Sequence, residues 1–228
     1  MSSRILVISD LHLGINDQMC IFTAGDALAH FLDWVAGTPG AVELVILGDA
    51  LDYLQIEPWS QADPVTALAK TEKILDANRA VFAALGRVAA KHSLVWCIGN
   101  HDLELLFDPV RARIEKELGR GLCWHLDGAP ITREVAGGAK LRLVHGNDGD
   151  AFNRVDYAAL TKIAAAGGDL AAAYPLGSRL VAEVFNPLKY EGYRYVDLLK
   201  PEEEVALPLT LARGRIGAGA AWQRRSRS

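Results

Sequence analysis

The sequence predicts an α/β protein in which four strands bring their carboxyl ends to one site. Four apolar runs of strand length, 5–8, 42–47, 94–98 and 140–144, each stop at a cluster of Asp, Asn or His beside a loop. The first two crossovers pass through long helical stretches, as βαβ units do. In an open α/β sheet the strand carboxyl ends line one crevice, so residues placed there meet however far apart they lie in the chain. Asp and Asn suit turns, but His12, His101 and His145 have no turn role to explain them.

Run 5–8 continues into Ser9, Asp10, Leu11 and His12. Along an extended segment residues two apart share a side, so Asp10 and His12 are expected to face one point. A hard oxygen and an imidazole nitrogen there make half a transition-metal site. Residues 22–36 carry Phe22, Leu28, Phe31, Leu32 and Val35 at helical spacing, stopped by Gly37-Thr38-Pro39-Gly40. His30 on this helix reads as a packing or surface histidine. Run 42–47 ends in Gly48-Asp49, with Asp52 three residues on. After a Pro-containing loop at 57–64, residues 65–92 read as one long amphipathic helix with Leu68, Ile74, Leu75, Val81, Phe82, Leu85 and Val88 on its apolar face.

The third run ends in Gly99-Asn100-His101-Asp102. Asp108, as N-cap, and Pro109 open a charged helix to Leu118. Residues 122–126 and 131–135 alternate as strands of an antiparallel meander. Gly137-Gly138 turns the chain into 140–144, which ends in His145-Gly146-Asn147-Asp148. From 155 to 211 alanine-rich stretches predict two or three short helices. Tyr190, Tyr193 and Tyr195 cluster there, read as packing aromatics rather than cap residues. The tail from Arg213 has the composition of a disordered end. The organisation expected is a core at 1–157, a helical cap or insert at 158–212 and a disordered tail at 213–228.

A net charge of −4 over 228 residues gives no support to a nucleic-acid or membrane-surface binder. Three cysteines without a C-x-x-C pair argue against a disulfide framework, and Cys97 inside LVWCIG reads as a small buried hydrophobe. No signal peptide and no run long enough to span a membrane is evident, so a cytoplasmic protein is expected.

Singly, D-x-H, G-D-x-x-D and H-G are weak signals. Together the blocks SDLHLG, GDALD, GNHD and VHGN resemble, in order and spacing, the calcineurin-like metallophosphoesterases over residues 4 to about 157. The resemblance implies a four-layer α/β/β/α sandwich and a centre of two divalent metal ions, manganese foremost, with iron or zinc as alternatives. Carried over, Asp10 and His12 would bind one ion, Asn100 and His145 the other, and Asp49 would bridge them. Such a pair ionises a bridging water near neutral pH for in-line attack on phosphorus. His101 would stand over the leaving-group oxygen, with Asp102 holding its tautomer. Asp52 would support the ligands or simply start a helix, and Arg154 would clamp a phosphate.

The activity implied is hydrolysis of a phosphodiester, phosphomonoester or pyrophosphate bond in a phosphorylated small molecule or nucleotide-linked substrate. SDLHLG and H-G look most like the branch containing UDP-2,3-diacylglucosamine pyrophosphatase, although Asn147 stands where that branch usually has Asp. Family members also usually carry a fifth block, G-H-x-H, and no histidine follows His145 here. The expectation is therefore three protein ligands per metal, with reduced metal affinity and activity and the last strands of the second sheet missing. Either the chain is a truncated piece of a longer enzyme or it is a weakly metal-binding scaffold on the same fold.

Overall fold

The computed structural model describes residues 4–15, 17, 19–119, 122–135 and 137–192. Strands β1 (Arg4–Ile8), β2 (Val42–Leu47), β3 (Ser93–Cys97) and β4 (Leu122–His125) form one sheet in that order, every pair parallel. Helix α1 (Gly25–Gly37) connects β1 to β2. Helices α2 (Pro64–Ala77) and α3 (Arg79–Lys91) connect β2 to β3, and α4 (Asp108–Leu118) connects β3 to β4. Leu44, Ile46, Leu94 and Trp96 pack under these helices. Val45, Val95 and Cys97 point the other way, onto Ile131 and Leu143 of the antiparallel hairpin β5 (Ile131–Glu134) and β6 (Lys140–Leu143). Both faces of β2 and β3 are therefore buried, which is why those strands read as almost unbroken apolar runs. Arg133 adds an ion pair to Glu43 at 2.9 Å that ties β5 to β2.

The described residues thus give the expected α/β layering: helices, a parallel sheet, and a second sheet that has two strands among the described residues. Helix α5 (Tyr157–Ala165) and Tyr174 pack into the main core. Helix α6 (Leu176–Leu180), a π-helical turn (Val181–Phe185) and α7 (Asn186–Tyr190) then run on without a break. Tyr190 is exposed against Trp59, while Tyr193, Tyr195 and the tail from Arg213 lie outside the described residues. His30 is exposed, and Cys97 is buried, its thiol pushed up to about 12 chiefly by that burial.

Three local expectations are corrected. The 65–92 helix is two helices, because Asn78 leaves the helical path (φ −120°, ψ 31°) and its Nδ2 donates to Gly14 O at 2.7 Å and Ile74 O at 2.8 Å. Apolar periodicity runs through this break and does not reveal it. Asp108 is not the N-cap: Phe107 is, and Asp108 in the first turn pairs with Arg111. β4 is not in a meander but lies parallel to β3, since α4 carries the chain back across the sheet before it starts.

The start of α2 is the best-capped helix end. Asp63 accepts from Val65 N at 2.9 Å, Thr66 N at 3.1 Å, Thr66 Oγ1 at 2.6 Å and Gln61 Nε2 at 2.9 Å. These donors, the Thr66 hydroxyl first, hold its carboxyl down at about 2. Asp63→Ala is expected to cost about 1 kcal/mol in urea unfolding at neutral pH. A depressed carboxyl stabilises fully above its unfolded value and loses that contribution as the pH falls towards 2. The gap between wild type and variant should therefore narrow between about pH 4 and pH 2.

Candidate metal centre

The loops that leave β1 and β2 are zipped together by backbone hydrogen bonds. Asp10 N donates to Gly48 O at 3.2 Å, His12 N to Asp49 O at 2.9 Å, Leu13 N to Ala50 O at 2.9 Å and Asp52 N to Leu13 O at 3.1 Å. This pairing sets Asp10, His12, Asp49 and Asp52 side by side although forty residues separate the two loops. Asp10, His12 and Asp49 take φ values of 55°, 45° and 50°, the only positive φ among described non-glycine residues. Side chains rarely adopt that region, and such strain gathers at functional sites. Gly99 packs so close that any Cβ there would overlap the Asp49 carboxylate.

The left-handed turns correct the reading of Asp10 and His12 as neighbours on an extended strand. β1 ends at Ile8, and the two side chains join different clusters. Asp10 gathers with Asp49 and His145, and His12 gathers with Asp52 and His101, the ligand atoms of each cluster lying within 4.8 Å of one another. Asn100 completes the first cluster, its Oδ1 standing 3.3 Å from His145 Nε2.

His145 shows what this cluster is built to hold. Its Nδ1 faces the Leu47 carbonyl at 2.8 Å, an acceptor only, so the ring proton of the neutral form sits on Nδ1. Nε2 then turns its lone pair towards Asp49 Oδ2 at 3.3 Å and Asn100 Oδ1 at 3.3 Å. Lone pairs converging without a hydrogen between them need a positive charge. Burial disfavours a charged ring, but the hydrogen bond and charge of Asp49 outweigh it and raise His145 to about 9, so a proton fills that place in the metal-free protein. Carboxylate, amide oxygen and imidazole together form a donor set for a divalent transition metal. His12 is oriented alike: its Nδ1 lies 3.0 Å from Asp52 Oδ2, and its Nε2 lies 3.9 Å from Asp49 Oδ2.

Asp52 is the hub of the second cluster. It is out of water, with His12 Nδ1 on one oxygen and His101 Nδ1 at 3.3 Å on the other. Leu54 N and Gln55 Nε2 also donate to it. Burial alone would raise its carboxyl, but the charge and hydrogen bonds of His101 and His12 hold it well below the usual range. The partner of the His101 ring is thus Asp52, not the expected Asp102. Asp102 is wholly buried and accepts from Gly99 N at 2.6 Å and Ala50 N at 3.0 Å, tying the β2 and β3 loops together, and burial with the Asp49 charge lifts it to about 7. His101 N donates to Asp49 Oδ1 at 2.8 Å, which anchors the backbone while the ring meets His12 edge-on at 4.7 Å.

Both clusters open into a cavity of about 440 Å³. Arg154 is not among its lining residues; it is exposed, with Nε on the Asp148 carbonyl at 3.3 Å. The cavity is lined instead by Asn153, which directly precedes Arg154, and by residues that the sequence did not single out: Ile21, Val181, Phe185, Asn186 and Lys189. Most lie on the helix from α6 to α7, whose docking over the site no local pattern announces.

The sequence model of the calcineurin-like phosphoesterase family matches residues 3–198, and the chain belongs to that family, whose members are hydrolases of phosphoester bonds. No curated protein matches the chain. One consequence of the site concerns Asp52. Burial opposes charge on the His101 ring, but the Asp52 charge and hydrogen bond, with the charges of Asp49 and Asp102, raise it to about 9. In metal-free Asp52→Asn, the His101 titration followed by NMR should fall from about 9 to 6.5 or below. A raised histidine stabilises fully below its unfolded value and loses that contribution as the pH rises through 9, so the stability cost of Asp52→Asn should shrink over that range.

Proposed function

We propose that this member of the calcineurin-like phosphoesterase family hydrolyses a phosphodiester, phosphomonoester or pyrophosphate bond with two divalent cations held by Asp10, His12, Asp49, Asn100 and His145. The observation that carries this is the His145 lone pair aimed at two oxygens, a gap that suits a cation. The family resemblance puts manganese first, with iron or zinc as alternatives, and mixed oxygen and nitrogen donors can hold any of the three. When bound, a metal pair neutralises phosphoryl charge and ionises water near neutral pH.

The remaining chemistry belongs to the chain. Asp49, held by His101 N, stays ionised because His145 and His101 outweigh its burial, so it can serve two cations with its two oxygens. His101 presents a protonated ring, kept so by Asp52, and gives that proton to the departing oxygen. Asp52 serves His12 and His101 at once, so the geometry of a metal ligand and of the proton donor is fixed by one carboxylate. Asp102 acts by holding the two loops in register rather than by touching substrate. Arg154 is left without a clamping role.

A phosphorylated small molecule or nucleotide-linked substrate fits the size of the cavity, and a pyrophosphate of the UDP-2,3-diacylglucosamine kind is the narrower reading supported by SDLHLG and His145-Gly146. Three free thiols suit a reducing, cytoplasmic setting, and among the described residues no helix is long and apolar enough to cross a membrane. A non-catalytic scaffold would have no use for the Asp52–His101 pair, which favours the enzyme.

Bis-p-nitrophenyl phosphate should be hydrolysed with added manganese, and turnover should vanish in Asp49→Ala and on chelation. His101→Gln should lower kcat by about 10² to 10⁴, the usual share of a general acid. Every histidine of the chain is accounted for: His30 is exposed, His92 bonds Val35 O and His125 bonds Ala129 O. With His12 and His145 as the only imidazole ligands, metal affinity should be weak. Full occupancy of two sites at micromolar free manganese would overturn that.

A further inference from the structure

The helix that roofs the cavity is built to present one stripe to it. Gly177, Val181, Phe185 and Lys189, each four residues apart, all line the cavity. In an unbroken α-helix, at about 100° per residue, each step of four gains about 40°, so three steps would carry Lys189 about 120° round from Gly177. The π turn at Val181–Phe185 winds fewer degrees per residue and takes back part of that drift. It has a visible cause. Pro187 has no N–H to offer the Glu183 carbonyl, and Asn186 N bonds Val181 O five residues back. Gly177 opens the stripe because Asn153 fills the space a Cβ would need.

The stripe divides the cavity chemically. Its floor is the cation cluster, and Asn147, Asp150 and Asn153 give it a polar rim, with Asn153 against Gly177. The remaining wall sets three apolar side chains among Gln55, Asn186 and Lys189. Val181 is half-buried, Phe185 is 2% exposed, and Ile21, on the loop before α1, leaves 50% of its surface open towards the same space. Ile21 and Val181 thus offer apolar surface beside the cation cluster, which an apolar group of a bound ligand would take out of water.

We infer that the wall of Ile21, Val181 and Phe185 selects phosphoesters whose organic group beside the scissile phosphorus is apolar, an aryl or short alkyl group. This assignment rests on the phosphoester reading of the cavity and takes its phosphorylated small molecule, not its nucleotide-linked substrate. The phosphoryl group lies over the cation cluster, the apolar group covers Ile21 and Val181, and any hydroxyls point to the Asn147–Asn153 rim. Ile21, Val181 and Phe185 are then specificity residues for the reaction that Asp49 and His101 serve.

Non-hydrolysable phosphonates separate this assignment from catalysis. Calorimetry with manganese and methyl-, butyl- or phenylphosphonate should show the butyl and phenyl compounds binding at least about tenfold tighter than the methyl compound. Ile21→Ser, in an exposed loop where folding is not at stake, should cut that ratio several-fold, and Val181→Ser should do the same. Equal affinity for the three compounds, a ratio unchanged in both variants, or binding of none of them overturns the assignment. The apolar preference without turnover of bis-p-nitrophenyl phosphate would leave the wall standing and sink the hydrolase reading. Turnover without the preference would do the reverse.

Discussion

Three carboxylates stand out of water at the ends of β2 and β3: Asp49 is 3% exposed, Asp52 2% and Asp102 0%. A buried carboxylate without compensation is among the most costly groups a protein can carry. Each of the three is compensated differently, and those differences shape the site. Backbone N–H groups of Gly99 and Ala50 satisfy Asp102, two imidazoles and two further N–H groups satisfy Asp52, and His145 with the His101 amide satisfies Asp49. Around Asp49, as around Asp52 with its His101, part of the compensation is a charge that the chain supplies as a titratable proton. In the proposed two-metal reading a cation takes the place of the proton beside Asp49, and the positive φ of Asp10, His12 and Asp49 sets their side chains around that point.

The scaffold makes such strain sustainable. β2 and β3 are covered by helices on one side and by the β5–β6 hairpin on the other, so the strand ends that emit these loops have little freedom to move. The loop after β1 is pinned twice more, by its zipper to the β2 loop and by the Asn78 side chain on Gly14. The break between α2 and α3 thus serves the site: leaving the helix frees Asn78 to reach that carbonyl.

Much of this was legible because it is local. An apolar run that stops at Gly-Asp, Gly-Asn-His-Asp or His-Gly marks a strand end, and convergence follows from parallel topology for β1, β2 and β3, whereas His145 arrives from the antiparallel β5–β6 hairpin of the second sheet. The residues brought together include the five expected ligands, Asp10, His12, Asp49, Asn100 and His145, all of which line one cavity. What escaped depends on partners distant in sequence. The choice of Asp52 over Asp102 for His101 is decided by the loop zipper, since either carboxylate has plausible spacing. The direction of β4 is invisible to alternation, which encodes a face and not an orientation. Ile21, Val181 and Lys189 look like ordinary helix and loop residues until the 176–190 helix docks.

That docking makes wall and floor one unit. Ser178 Oγ donates to the carbonyl of Asn100 itself at 3.1 Å, Lys189 Nζ to Met19 O at 3.0 Å, and Asn186 Nδ2 to Leu54 O. Tyr174 OH, just before α6, donates to the buried Glu104 at 2.7 Å. At about 1 kcal/mol each, or more where a charge takes part, such bonds are modest singly. They are buried, however, and lifting the helix would strand every one of their partners in apolar surroundings, which multiplies the cost. A roof held this way does not behave as a lid. The carbonyl that receives Ser178 belongs to Asn100, a proposed metal ligand, so the helix that carries Val181 and Phe185 also steadies the cluster beneath it, and the proposed substrate choice and bond cleavage would draw on one set of contacts.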